Sequence, residues 1–104
     1  MKKSMITAAV VSAALIASQA HADDNQDACG AVLCLAGLMT GSDAGESCRK
    51  YDADYFSIVR FHHGHFDLSG TATARGNFLD QCQSAGSDVK GAVNSKYGTV
   101  QHAP

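Results

Sequence analysis

The sequence has no tryptophan, and its only proline is the last residue, Pro104. Its ten glycines follow no fixed period, so the composition excludes collagen-like, proline-rich and repeat architectures. Charge is scarce as well: eight Lys and Arg residues against ten Asp and Glu give a formal net charge of -2. Nucleic-acid binding needs a concentrated basic field, so no nucleic-acid partner is indicated. A length of 104 residues suits one small domain.

The first 22 residues have the pattern of a secretory signal peptide. Lys2 and Lys3 precede an uncharged apolar run over residues 5–17, and small residues follow at a cleavage spacing that ends at Ala22. The run is too short to cross a bilayer, which disfavours the alternatives of an uncleaved anchor or a buried N-terminal helix. The pattern predicts cleavage after Ala22, a mature chain of residues 23–104 with no stable membrane span, and a periplasmic location.

All four cysteines lie in the predicted mature chain; they are Cys29, Cys34, Cys48 and Cys82. A domain of this size buries too little surface to be stable on hydrophobic burial alone, and an oxidising compartment favours two disulfides. Cys29 and Cys34 lie about 140° apart around one predicted helix, so they should not pair with each other. The pairing Cys29–Cys82 with Cys34–Cys48 is favoured, because Cys34 is closer to the end of that helix and Cys48 begins the next. The pairing Cys29–Cys48 with Cys34–Cys82 remains open.

Apolar spacing predicts a small all-α, disulfide-stapled domain of three to four short helices, with a core over about residues 28–97. The first helix, 28–39 after an Asp27 cap, has no polar side chain and should be buried all round. The other helices are expected over residues 47–61, over residues 71–84, and after Ser87 up to Gly98. No stretch alternates with period 2 between hairpin turns, so no strand is predicted.

Two residues have alternative interpretations. Phe56 lies off the core stripe of the second helix, so it either covers another helix or contacts a partner. Arg75 shares a helical stripe with Phe78 and Leu79. It either lays its stem over the core with the guanidinium at the rim, or forms a bidentate ion pair with an acidic side chain of the second helix.

Three histidines, His62, His63 and His65, lie close to Asp67 and form a weak candidate site for zinc, copper or nickel. A solvated polar loop is the simpler interpretation, because adjacent histidines seldom converge on one ion. His102 would have to fold in from the C-terminal tail. No nucleophile elbow, zinc-protease motif or phosphate loop is present, so neither an enzyme nor a cofactor is predicted.

Residues 28–82 resemble a known family. The pattern comprises Cys29-Gly-Ala-Val-Leu-Cys34-Leu, the single Cys48, Tyr55-Phe56-Ser57-Ile58, Phe66, Arg75 and Phe78-Leu79-Asp80-Gln81-Cys82. Together these elements resemble the TrbM/KikA/MpfK family of conjugal transfer proteins, although the histidines replace lysines expected around the Gly-x-Phe element.

The resemblance implies a small exported accessory protein of plasmid conjugation, without a reaction or cofactor. Its partners would be components of the mating-pair-formation (type IV secretion) and pilus apparatus. The resemblance also implies that the cysteines are structural and that Phe56 and Arg75 are structural or partner-contact positions, with Phe56 the better contact candidate. A small periplasmic metal-binding protein and a small chaperone or inhibitor are the alternatives.

Overall fold

The computed structural model describes residues 24–42 and 45–104. Within them the elements are, in order, α1 (Gln26–Met39), α2 (Glu46–Phe56), β1 (Phe61–His62), β2 (His65–Phe66), α3 (Leu68–Asp80) and α4 (Ser87–Tyr97). Helix α1 packs against the other three helices, and α3 packs against α4. The predicted small, all-α, disulfide-stapled architecture is confirmed. The predicted signal peptide and its cleavage site after Ala22 lie outside the described residues.

Helix α1 begins two residues before the predicted start, because Asn25 rather than Asp27 is its cap. The Asn25 Oδ1 accepts hydrogen bonds from the backbone N–H groups of Asp27 and Ala28, at 2.9 and 3.1 Å.

The buried residues of the helix are Ala28, Ala31, Val32 and Leu35. Leu33, in contrast, is 74% exposed. The expectation of a helix buried all round is therefore wrong: so small a domain has too few elements to enclose one. Among the described helices, none combines the length and apolar character needed to span a bilayer.

Helix α2 ends at Phe56, five residues before the predicted end. Tyr51 and Tyr55 keep their predicted inward positions on the helix. Ile58 and Val59, expected on the same stripe, lie in the connection that follows α2.

A short antiparallel hairpin occupies the segment that was expected to be a loop. His63 and Gly64 form its two-residue turn, and both have positive φ (52° and 77°), as a type I′ turn requires. The register pairs Phe61 with Phe66 and His62 with His65. Each strand has only two residues, which is too short for alternation to be recognised in the sequence.

Helix α3 begins at Leu68 because Asp67 caps it: the Asp67 Oδ1 accepts from the backbone N–H of Gly70 at 3.0 Å. The helix ends at Asp80, so it is displaced by three to four residues from the predicted range. Helix α4 begins at Ser87, one residue before the predicted start, because Gly86 rather than Ser87 is its N-cap; it ends before Gly98, as predicted.

Two disulfides join α1 to its neighbours. Cys34 pairs with Cys48 at the start of α2, and Cys29 pairs with Cys82 after the end of α3; the Cα–Cα distances are 5.5 and 4.8 Å. These are the pairs favoured on grounds of reach. Among the described residues no cysteine is free. In the chain-entropy picture the shorter loop contributes about 3 kcal/mol and the longer about 4 kcal/mol to stability.

The contact between α1 and α2 depends on a glycine. The ring of Tyr51 lies directly against Gly30, and a Cβ added at Gly30 would overlap the ring carbons. We expect Gly30→Ala to lower the free energy of unfolding by about 1–3 kcal/mol through overpacking. Gly91, within α4, is the matched control: it is exposed and a Cβ there meets nothing within 4 Å. Gly91→Ala should raise the stability by about 0.5–1 kcal/mol. Urea unfolding of both variants measures the two changes in the free energy of unfolding. Equal changes would contradict the close packing of Tyr51 against Gly30.

Candidate functional site

The centre of the domain is a fully buried arginine. Arg75, on α3, has no exposed surface. Its guanidinium donates hydrogen bonds at 2.6–3.3 Å to five backbone carbonyl oxygens, those of Phe56, Ile58, Tyr97, Gly98 and Val100. Two of these residues end α2 and α4, where unpaired carbonyls and the negative ends of the helix dipoles meet. One side chain therefore holds the C-terminal ends of two helices together.

The positive charge of Arg75 is balanced without a carboxylate among the described residues. The guanidinium carbon lies 5.2 Å from the ring centroid of Tyr55 and 5.1 Å from that of Phe56, so cation–π attraction adds to the carbonyl bonds. Burial lowers the pKa of the Arg75 guanidinium, and the hydroxyl of Tyr55 opposes this shift. Arginine nevertheless stays charged at neutral pH, because its ordinary pKa lies far above neutrality.

Tyr55 extends the polar network. Its hydroxyl donates to the Asn94 Oδ1 at 2.7 Å, and the Asn94 amide donates to the carbonyl of Ala72 at 2.9 Å. Burial raises the pKa of the Tyr55 hydroxyl to about 12, while the charge of Arg75 acts in the opposite direction. The hydroxyl therefore stays protonated and remains a donor at neutral pH.

Both residues expected to contact a partner lie in the core, which corrects that expectation. Phe56 is 7% exposed, and its ring packs edge-to-face with the rings of Tyr55 and Tyr97, with centroids 5.0 and 5.9 Å apart. It covers another helix, which is one of the two alternatives. For Arg75 both alternatives are wrong, since the guanidinium is neither at the rim nor paired with an acidic side chain of the described chain. Carbonyl oxygens satisfy it instead.

The large apolar side chains that are exposed lie elsewhere. They are Leu33, Met39, Phe61 and Leu68. Leu33 borders a depression of about 410 Å³ between α1 and α2, which we call the disulfide groove; it is lined by Gln26, Cys29, Gly30, Leu33, Cys34, Ser47, Cys48 and Tyr51. Both disulfides contribute to its walls. Nothing in the sequence indicates this surface, because every residue of α1 from Ala28 onward is apolar.

The histidines lie on the hairpin, and all three are exposed. The rings of His62 and His63 have centroids 4.1 Å apart. The nitrogens of His62, His63 and His65 do not all converge within 4.8 Å. In the described part of the chain, only Asp24, Cys29 and Cys82 meet that distance, and both sulfurs are already in a disulfide. Asp67 is engaged as the cap of α3.

Comparison with known proteins identifies the family. The TrbM family profile matches residues 21–99, which is most of the chain. No curated protein and no solved structure matches. The matched range includes both disulfides, the hairpin, Arg75 and four of the five carbonyl groups that Arg75 contacts; the fifth, that of Val100, lies one residue beyond it. The resemblance drawn from residues 28–82 is confirmed: the chain belongs to the TrbM family of conjugal transfer proteins.

Proposed function

We propose that the protein is exported to the periplasm and acts there as an accessory protein of the mating-pair-formation, type IV secretion apparatus. The observation that carries the proposal is the pair of disulfides in a chain of a conjugal transfer family. Disulfides persist in oxidising compartments and are rare in the cytosol, where thiols are kept reduced. The channel and pilus are the part of the conjugation machinery that is exposed to an oxidising compartment.

The first residues of the proposed mature chain that the structure describes are held in the folded domain. Asp24, the second residue of the proposed mature chain, is buried. Its carboxylate accepts hydrogen bonds from the backbone N–H groups of Gln83 and Ser84, at 2.8 and 3.2 Å. The backbone N–H of Asn25 donates to the carbonyl of Gln81 at 3.2 Å. These contacts make Asp24 and Asn25 part of the folded domain, and processing after Ala22 would leave both in the mature chain.

A binding role is proposed, with the disulfide groove as the contact surface for a protein subunit of the apparatus. Leu33 projects from the groove, and the two disulfides fix the backbone on either side of it. A rigid apolar hollow with a projecting leucine suits an apolar side chain of a partner, because pre-formed surfaces lose little entropy on binding. This surface replaces Phe56 and Arg75 as the proposed contact.

Leu33→Gln is the test of this surface. Because Leu33 is exposed, the substitution should leave the melting temperature unchanged while removing an apolar anchor; we expect transfer from donor cells to fall about tenfold or more. Met39→Gln, at the exposed end of the same helix, is the matched control and should transfer at the parental frequency. Parental transfer by Leu33→Gln donors would exclude the groove as the contact surface, without bearing on the compartment.

A further inference from the structure

The tip of the hairpin brings two imidazoles to one face. His62 and His65 are direct cross-strand partners, next to the two-residue turn. Side chains of such a pair lie on the same face of the ribbon, with their Cβ atoms about 4.5–5.5 Å apart. Two imidazoles at this spacing can turn toward a common point between them. His63, the first residue of the turn, lies beside His62.

The hairpin is well supported for so short an element. At its base the backbone N–H of Asp67 donates to the carbonyl of Arg60 at 2.8 Å. The rings of Phe61 and Phe66 pack edge-to-face, with centroids 6.3 Å apart, between that bond and the histidines. These contacts fix the two strands against each other, so the spacing of the cross-strand histidines does not have to be created by a ligand.

The imidazole nitrogens are available. All three rings are solvent-exposed, and within the described residues no hydrogen bond or ion pair joins them to another protein group. The two nearest charged side chains in sequence are engaged elsewhere: Arg60 donates to the carbonyl of Val59 at 3.1 Å, and Asp67 caps α3. A cation at the tip therefore meets imidazole nitrogens that have no competing hydrogen-bond or ion-pair partner among the described residues.

From this placement we propose that His62 and His65 chelate a borderline divalent cation, Cu²⁺, Zn²⁺ or Ni²⁺, with water completing the coordination. Neutral imidazole suits these metals, whereas Mg²⁺ and Ca²⁺ prefer oxygen ligands. The affinity for Cu²⁺ exceeds that for Ni²⁺ and Zn²⁺, following the general order for nitrogen ligands. The metal site is independent of the proposed role in conjugation.

The test uses the mature chain without an affinity tag, since a polyhistidine tag would bind the same ions. Zn²⁺ is titrated at neutral pH by calorimetry and by amide NMR, in which the signals of residues 62–65 should shift first. His62→Gln and His65→Gln should each weaken Zn²⁺ binding about tenfold or more. His102→Gln, in the exposed C-terminal tail, is the matched control and should bind as the parent does.

Three results would overturn the proposal. The first is that the parent chain binds neither Zn²⁺ nor Cu²⁺ at a metal concentration of about 100 µM. A dissociation constant above that concentration is too weak for a chelating pair. The second is parental affinity in both cross-strand variants, and the third is loss of binding in His102→Gln. The exposed position of both histidines means that the variants should keep the amide spectrum of the folded parent, so a loss of binding reports on the ligands.

Discussion

Replacing Arg75 by methionine is expected to abolish cooperative folding. The substitution keeps a long apolar stem but leaves five carbonyl oxygens without their donor. Three of these, on Phe56, Tyr97 and Gly98, belong to buried residues. The Tyr97 oxygen keeps the backbone N–H of Val100 as a donor at 3.1 Å, so the oxygens of Phe56 and Gly98 are the buried acceptors that lose their donor. Each buried acceptor left unpaired costs about 1–3 kcal/mol, while a domain has only about 5–15 kcal/mol of stability in total. The loss is therefore comparable with the whole free energy of folding of a domain at the lower end of that range.

Arg75→Lys separates the charge from the hydrogen-bond geometry. Lysine retains a positive charge but places its donors on a single nitrogen, with three N–H bonds at most. It cannot reach carbonyls that Arg75 contacts through Nε, Nη1 and Nη2. We expect a folded but weakened protein, intermediate between the parent and Arg75→Met.

Urea unfolding followed by circular dichroism measures both variants. Arg49→Met is the matched control, because it makes the same change of charge at an exposed position of α2 and should alter stability by less than about 0.5 kcal/mol. Should Arg75→Met unfold at the same urea concentration as Arg49→Met, the carbonyl network would not be what holds α2 and α4 together.

The features that the sequence predicted are local ones. Apolar spacing and run lengths indicate four helical segments, and the end of α4 is predicted because Gly98 directly follows its last residue. The favoured cysteine pairs also follow from short-range geometry. Cys48 lies in the first turn of α2, and Cys34 is close enough to reach it across a short connection. Such inferences need no knowledge of how distant elements pack.

The missed features depend on residues far apart in the chain. Helix α2 ends at Phe56, whose carbonyl oxygen accepts a hydrogen bond from Arg75, nineteen residues later in the sequence. Apolar spacing alone continued the helix to residue 61. The exposure of Leu33 also depends on residues that are distant in the sequence. Because α1 is uniformly apolar, only the placement of the other helices decides which leucine is buried, and Leu35 rather than Leu33 faces them.

Deleting the gene is expected to lower plasmid transfer from donor cells while plasmid replication and nicking at the transfer origin continue. The reason is the proposed compartment: if the chain is exported whole, as proposed above, and carries no basic field, it is separated from the DNA-processing steps in the cytoplasm. Its effect should be confined to assembly or function of the channel and pilus. Transfer frequency in liquid and on solid surfaces, with plasmid copy number and nicking measured in the same strains, distinguishes the two stages.

Complementation decides whether export matters. The full-length chain should restore transfer to the deletion strain, whereas a chain lacking residues 2–22 should not, because in the reducing cytosol neither Cys29–Cys82 nor Cys34–Cys48 is stable. Loss of native disulfides from a small domain costs about 2–5 kcal/mol, so the leaderless chain should also be poorly folded.

The control is a chain in which an unrelated cleavable signal peptide replaces residues 2–22. It should restore transfer, because residues 2–22 are then needed only for export. Transfer at the parental frequency in the deletion strain would remove the support for a role in conjugation, and restoration by the leaderless chain would place that role in the cytoplasm.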